Sequence, residues 1–132
     1  MSLLKAIECL EEMNLRMSDK RECNNVTAVI LAGGVGSRLR SAVSDRPKVL
    51  AEVNGRPYLV HLFDQLLDAD IEHAVLCTGH LADMVEKVCG ATYGPMKLSY
   101  SQELRPMGTG GALRLAVPNI MSDTVLVMNG DS

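Results

Sequence analysis

Glycines followed by two spaced cations are the part of this 132-residue sequence best suited to chemistry. Leu31-Ala32-Gly33-Gly34-Val35-Gly36-Ser37-Arg38-Leu39 directly follows an apolar run, where a phosphate loop belongs. Glycines let backbone N–H groups come close to an anion because no Cβ intervenes. Arg38 can fork two hydrogen bonds onto phosphate oxygens, and Lys48, ten residues later in Asp45-Arg46-Pro47-Lys48, adds a point charge whose approach Pro47 stiffens. Two familiar loops fail in detail. A dinucleotide fingerprint read from Gly34 and Gly36 needs a third glycine where Leu39 stands, and a Walker loop needs a lysine after its glycines that is missing here.

The elements that must position these residues alternate along the chain. Val26 to Leu31 is β-branched and nearly all apolar, as expected of a parallel strand covered on both faces. Pro57 opens a helix with Leu59, Leu62, Phe63, Leu66 and Leu67 at helical spacing. Ala74 to Thr78 reads as the next strand, followed by Gly79 and a helix around Met84, Val85 and Val88. Lys97 to Ser101 reads as a third strand. The turn Gly108-Thr109-Gly110-Gly111 leads into a helix from Ala112 to Val117 that Pro118 stops. Thr124 to Met128 is the last strand, running into Asn129-Gly130-Asp131. This order predicts an α/β, Rossmann-like, doubly wound and mainly parallel sheet with helices on both faces. The glycine loop and Asp131 then follow their strands at the carboxyl edge, where ligands collect in open parallel sheets. Taken alone, Asp131 reads equally well as a turn or cap residue.

Ahead of this unit, Leu3, Leu4, Ile7, Leu10, Met13 and Met17 form one face of an amphipathic helix, and a polar stretch completes an N-terminal segment over residues 1–25. That helix reads as a packing or oligomerisation element, which leaves a homo-oligomer open. Residues 26–132 are read as the nucleotide-binding unit.

Composition narrows the partners. A net charge of −3, without a long single-sign run, gives no footprint for nucleic acid or an anionic membrane. Aromatics at 3% with no Trp argue against base-stacking platforms. The four cysteines form no C-x-x-C pair and have no histidines at zinc spacing, so reduced thiols in a cytoplasmic protein are expected. No apolar stretch approaches the roughly 20 residues that span a bilayer. Cys77 reads as inert packing, His61, His73 and His80 as scattered surface or helix-end residues, and Glu103 as a solvated loop carboxylate or a residue ordering a nucleotide site.

Gly33-Gly34-Val35-Gly36-Ser37-Arg38-Leu39 followed by Pro47-Lys48-Val49-Leu50 resembles the signature of the sugar-phosphate nucleotidyltransferases. Gln102-Glu103 with Met107-Gly108-Thr109-Gly110-Gly111-Ala112 resembles that family's nucleobase segment, and Asn129-Gly130-Asp131 its strand-end metal motif. The likeness runs from Val26 to the C-terminus. Residues 39–48 and 55–59 look most like the heptose 1-phosphate guanylyltransferase branch, with mannose 1-phosphate guanylyltransferases and thymidylyl and uridylyl enzymes sharing the loop.

The resemblance implies transfer from a nucleoside triphosphate, GTP favoured, to a sugar 1-phosphate with release of pyrophosphate. It implies nucleotide contacts from Leu31, Ala32, Gly33, Gly34, Gly36, Ser37, Gln102, Gly108, Thr109 and Gly110, catalytic charge from Arg38 and Lys48, and Mg2+ on Asp131. Because the family is longer, the sheet is expected to be incomplete at the C-terminus and the chain to be the front portion of an enzyme, with the strand Val125 to Met128 lacking a covering neighbour. A catalytically inactive nucleotide-binding regulatory module is the alternative, and a dinucleotide-binding domain a more distant one.

Overall fold

The computed structural model describes residues 25–33 and 47–130. The expected N-terminal helix, together with Gly34, Gly36, Ser37, Arg38 and Asp131, lies outside the described residues.

The principal strands are β1 (Val26–Leu31), β4 (His73–Thr78), β6 (Met96–Gln102) and β7 (Thr124–Asn129). Two short pairs accompany them: β2 (Glu52–Val53) with β3 (Arg56–Pro57), and β5 (Thr92–Tyr93) with β6. The main sheet has the order β5-β6-β4-β1-β7. All pairings among β6, β4, β1 and β7 are parallel, and only β5 runs antiparallel at the edge. The Rossmann-like expectation holds, with this antiparallel edge and the separate β2–β3 hairpin as additions that it did not contain.

Hydrophobic residues on alternate sides of the central strands explain how three helices seat on this sheet. Val26, Ala28 and Ile30 of β1 and Ala74 and Leu76 of β4 pack with helix α1 (Tyr58–Asp68) and with Val85 of α2 (Ala82–Cys89). Val29, Val75 and Cys77 face the other way, onto Ala112 and Ala116 of α3 (Gly108–Ala116). A right-handed crossover forces this division. The chain steps outward from β1 to β4 to β6 over one face, then returns past β1 to β7, so the last helix lies on the opposite face. Phe63, Leu59, Leu62 and Leu66 are fully buried, which makes α1 the main cover of the first face.

Local boundaries differ from expectation at three places. The glycine turn before Ala112 is itself the first turn of α3, which starts at Gly108. His73 opens strand β4 half-buried, with Nε2 3.1 Å from Ser99 Oγ, instead of sitting on the surface or at a helix end. α3 ends at Ala116, and Pro118 sits in a following 3-10 turn over Val117–Asn119. The strand β7 takes the sheet edge with Val125 exposed, as the apolar strand without a covering neighbour was expected to do.

Candidate functional site

Four parallel strands bring four chain segments to one edge. β1 delivers Ala32 and Gly33, β4 delivers Gly79 and His80, β6 delivers Glu103, and β7 delivers Gly130. Backbone bonds fix them side by side. Ala32 N–H donates to Cys77 O at 2.8 Å, Glu103 N–H to Thr78 O at 2.8 Å, and Gly130 N–H to Leu31 O at 3.0 Å. Strand order reverses between β4–β1 and β1–β7, so the switch-point crevice of a doubly wound sheet opens between the ends of β1 and β7.

These bonds refine the expected nucleotide contacts. The Leu31 carbonyl and the Ala32 amide are already engaged by the sheet. Amides able to face an anion therefore begin at Gly33.

An open cavity of about 300 Å³ lies at this edge, lined by Gly33, Gly79, His80, Gln102, Glu103 and the Leu104-Arg105-Pro106 loop. Gly33 and Gln102, two of the expected residues, therefore share one cavity. Gly79, His80 and Arg105 were not singled out as nucleotide residues. The available signal was that Gly79 follows its strand as Gly33 follows β1.

Glu103 joins the segments. Its Oε2 accepts the Met107 N–H at 3.0 Å, closing the loop that leads into α3. Its Oε1 lies over Gly33, so close that a Cβ built there would stand 2.6 Å from it. Because residue 33 has no side chain, the Glu103 carboxylate can lie directly over its backbone. Glu103 ties the loop into α3 through the Met107 bond and is itself half-buried. Gly108, Thr109 and Gly110 follow at the start of α3, connected to the cavity through this Met107 bond but not lining it. Below the cavity floor, burial and then the negative charge of Glu103 push the Cys77 thiol up to about 11, and its Sγ donates to Ala112 O at 3.7 Å. Cys77 is inert packing, as expected. Thr78 Oγ1 is buried at the same strand end without a hydrogen-bond partner among the described residues.

The turn that carries Lys48 meets this edge from the other side. Pro47 is buried, and the 3-10 turn Lys48–Leu50 buries Val49 and Leu50 while leaving Lys48 exposed. Val49 packs against the β7 end so tightly that a Cβ on Gly130 would lie 3.0 Å from Val49 Cγ1 and 3.0 Å from Ile30 Cγ2. The lysine turn and the residue before Asp131 are thus locked together across the switch point.

Comparison with known proteins agrees with this geometry. The model of the MobA-like NTP transferase domain matches residues 28–132. The chain belongs to the MobA-like NTP transferase family. Among relatives of this family, the D-glycero-alpha-D-manno-heptose 1-phosphate guanylyltransferase of Aneurinibacillus thermoaerophilus is 39% identical over 105 residues, covering 80% of this chain and 46% of that protein. The structure of HddC from Yersinia pseudotuberculosis complexed with GMP-PN superposes with a TM-score of 0.70 at 34% identity, over 80% of this chain and 47% of that one. The inositol-1-phosphate CTP transferase from T. maritima gives a TM-score of 0.69 at 27% identity, over 80% and 43%. The chain spans about half the length of these relatives. Two of these names state nucleotide transfer, one a guanylyl transfer and the other a transfer from CTP. Among the described residues, no helix is long and apolar enough to cross a membrane.

Proposed function

We propose that this chain carries the nucleoside triphosphate half of a sugar 1-phosphate guanylyltransferase acting in the cytoplasm. A phosphate oxygen of the sugar 1-phosphate attacks the α-phosphorus of GTP. The new P–O bond forms as the bond to the β-phosphate breaks, and pyrophosphate leaves. The observation that carries the reading is the convergence of Gly33, Gly79, Gln102 and Glu103 on one cavity at the carboxyl edge, in a chain of this family.

Such a transfer asks mainly for positioning and for neutralising charge on phosphate oxygens. Backbone amides from Gly33 through Gly34, Gly36 and Ser37 hold the triphosphate, and Arg38 and Lys48 neutralise it. Gln102 with Gly108, Thr109 and Gly110 lies on the nucleobase side. The N-terminal segment is left to packing or self-association.

Magnesium is the metal this reading calls for, with Asp131 as its carboxylate. Among the described residues no group of three His, Cys, Asp or Glu is placed to hold a metal. Magnesium commonly takes one or two carboxylates and draws its other ligands from substrate phosphates and water. Asp131, following the tightly packed Gly130, supplies such a carboxylate. When bound, the ion adds positive charge at the phosphate oxygens.

The test is a panel of GTP, ATP, CTP, UTP and dTTP, each with magnesium and with mannose or heptose 1-phosphate, read by thermal shift and pyrophosphate release. GTP is expected to stabilise the chain most. Binding without turnover identifies a regulatory module, and stabilisation by NAD alone contradicts the reading.

A further inference from the structure

We propose that the N-terminal segment, residues 1–24, folds back over strand β7 and covers the apolar surface beside helix α3. The inference does not use the nucleotide site. It gives the segment a partner within its own chain.

The two faces of the sheet are covered unequally. Helices α1 and α2 seal one face, burying Leu59, Leu62, Phe63, Leu66 and Val85. On the other, α3 packs across β1, β4 and β6. A helix about 10 Å across, on strands about 4.8 Å apart, covers two or three of them and leaves the β7 side open. Val125 and Val127 point to this face, by the alternation that turns Leu126 and Met128 to the first. Val127 is half-buried, whereas Val125 is exposed.

Val125 is one of four such residues in a short stretch. Leu115 near the end of α3, Val117 in the 3-10 turn and Met121 in the link to β7 are exposed as well, Met121 to 85%. All lie where the chain returns from α3 to the amino end of β7. A run of large apolar side chains left on one surface marks a place where something packs.

The chain supplies an occupant at that place. Val26 pairs with Thr124, and Thr27 Oγ1 lies 2.6 Å from Ser122 Oγ. Residues 1–24 therefore enter β1 beside the start of β7, next to Met121 and Val125. Leu3, Leu4, Ile7, Leu10, Met13 and Met17 recur at helical spacing and make one apolar stripe. From residue 3 to 17 a helix runs about 21 Å at 1.5 Å per residue, and residues 18–24 can span up to about 23 Å, enough to turn back over the sheet. Tethered there, the segment acts at an effective concentration on the order of mM, above that of a second copy in dilute solution.

The chain has no Trp, so Met121→Trp puts a unique fluorescent reporter at the centre of the patch. In the folded full chain its emission should be blue-shifted relative to the urea-unfolded chain, shielded from acrylamide and independent of protein concentration. Adding Ile7→Asp and Leu10→Asp to the same full chain should move the emission to its unfolded position and restore quenching, with the circular dichroism of the sheet retained. If that variant folds poorly, M121W alone still decides, because solvent-exposed emission from it overturns the proposal. Such a result leaves the face to further polypeptide, which the greater length of the relatives would provide. Emission unchanged by I7D and L10D also overturns it. A blue shift that grows with concentration, with the mass of a dimer in light scattering, gives the face to a second copy and overturns it too.

Discussion

Replacing Gly33 with alanine tests whether the loop after β1 really closes on Glu103. The added Cβ would stand 2.6 Å from Glu103 Oε1, and 3.4 Å and 3.5 Å from the Thr78 and Cys77 backbone. The last two are ordinary contacts, so the strain falls on the carboxylate. As the end of a flexible side chain it can move aside, at the cost of its bond from Met107 N–H, about 1 kcal/mol. Removing a glycine restricts the unfolded chain and returns about 0.4–1 kcal/mol. The single variant should therefore change stability by less than about 1 kcal/mol, which alone decides nothing. The informative quantity is the coupling with Glu103→Ala. With the carboxylate gone, Gly33→Ala should be neutral or stabilising, so the double-mutant cycle should show about 1 kcal/mol of coupling. Urea unfolding monitored by circular dichroism gives all four stabilities. Equal effects of Gly33→Ala in the two backgrounds would refute the contact, and with it the convergence of β1 and β6 on one site.

Other outcomes follow from the same structure. Phe63→Ala empties the largest fully buried side-chain position under α1 and should cost about 3–5 kcal/mol in denaturant unfolding; a loss below about 1 kcal/mol would mean that this face is not the core. Tyr93 O–H donates to Asp64 Oδ1 at 2.6 Å, and Arg56 adds an ion pair at 2.9 Å, which together hold the Asp64 carboxyl below its ordinary value. A depressed carboxyl pKa stabilises the fold above the unfolded value and loses that contribution as pH falls, so acid unfolding of the native chain should include a component below about pH 4. Asp64→Asn should remove that component and lower stability at neutral pH; an unchanged acid limb would contradict the clasp. Burial pushes Cys77 and Cys89 up to about 11, so both should alkylate far more slowly at pH 8 in the folded chain than in urea, read by mass spectrometry.

Strand β1 was legible because Val26 to Leu31 is a β-branched, nearly all-apolar run leading into glycines, as a strand covered on both faces requires. Helix α1 showed its buried face by spacing alone, whereas of Met84, Val85 and Val88 on α2 only Val85 is fully buried and Val88 is exposed. The β2–β3 hairpin was passed over although Asn54 and Gly55, with φ of 54° and 78°, are the residues a two-residue hairpin turn demands. Its strands are two residues each, too short to show alternation. The start of α3 was hidden for a different reason. Glycines are poor helix formers, so Gly108 to Gly111 read as a turn, and the bond from Met107 N–H to the Glu103 side chain four residues earlier was not anticipated. The same limit applies to the site. Gly33 and Gln102 stood out by motif, while Gly79, His80 and Arg105 enter only because the parallel register brings β4 and β6 to the same edge.

The central claim is that the carboxyl edge of this sheet holds a nucleoside triphosphate, and amide NMR titration with GTP and magnesium tests it most directly. The account predicts saturable shifts concentrated at Gly33, Gly79, Gln102, Glu103 and the first turn of α3, with the β2–β3 hairpin and α1 unmoved. Shifts centred on the hairpin, or none at saturating GTP, would contradict it.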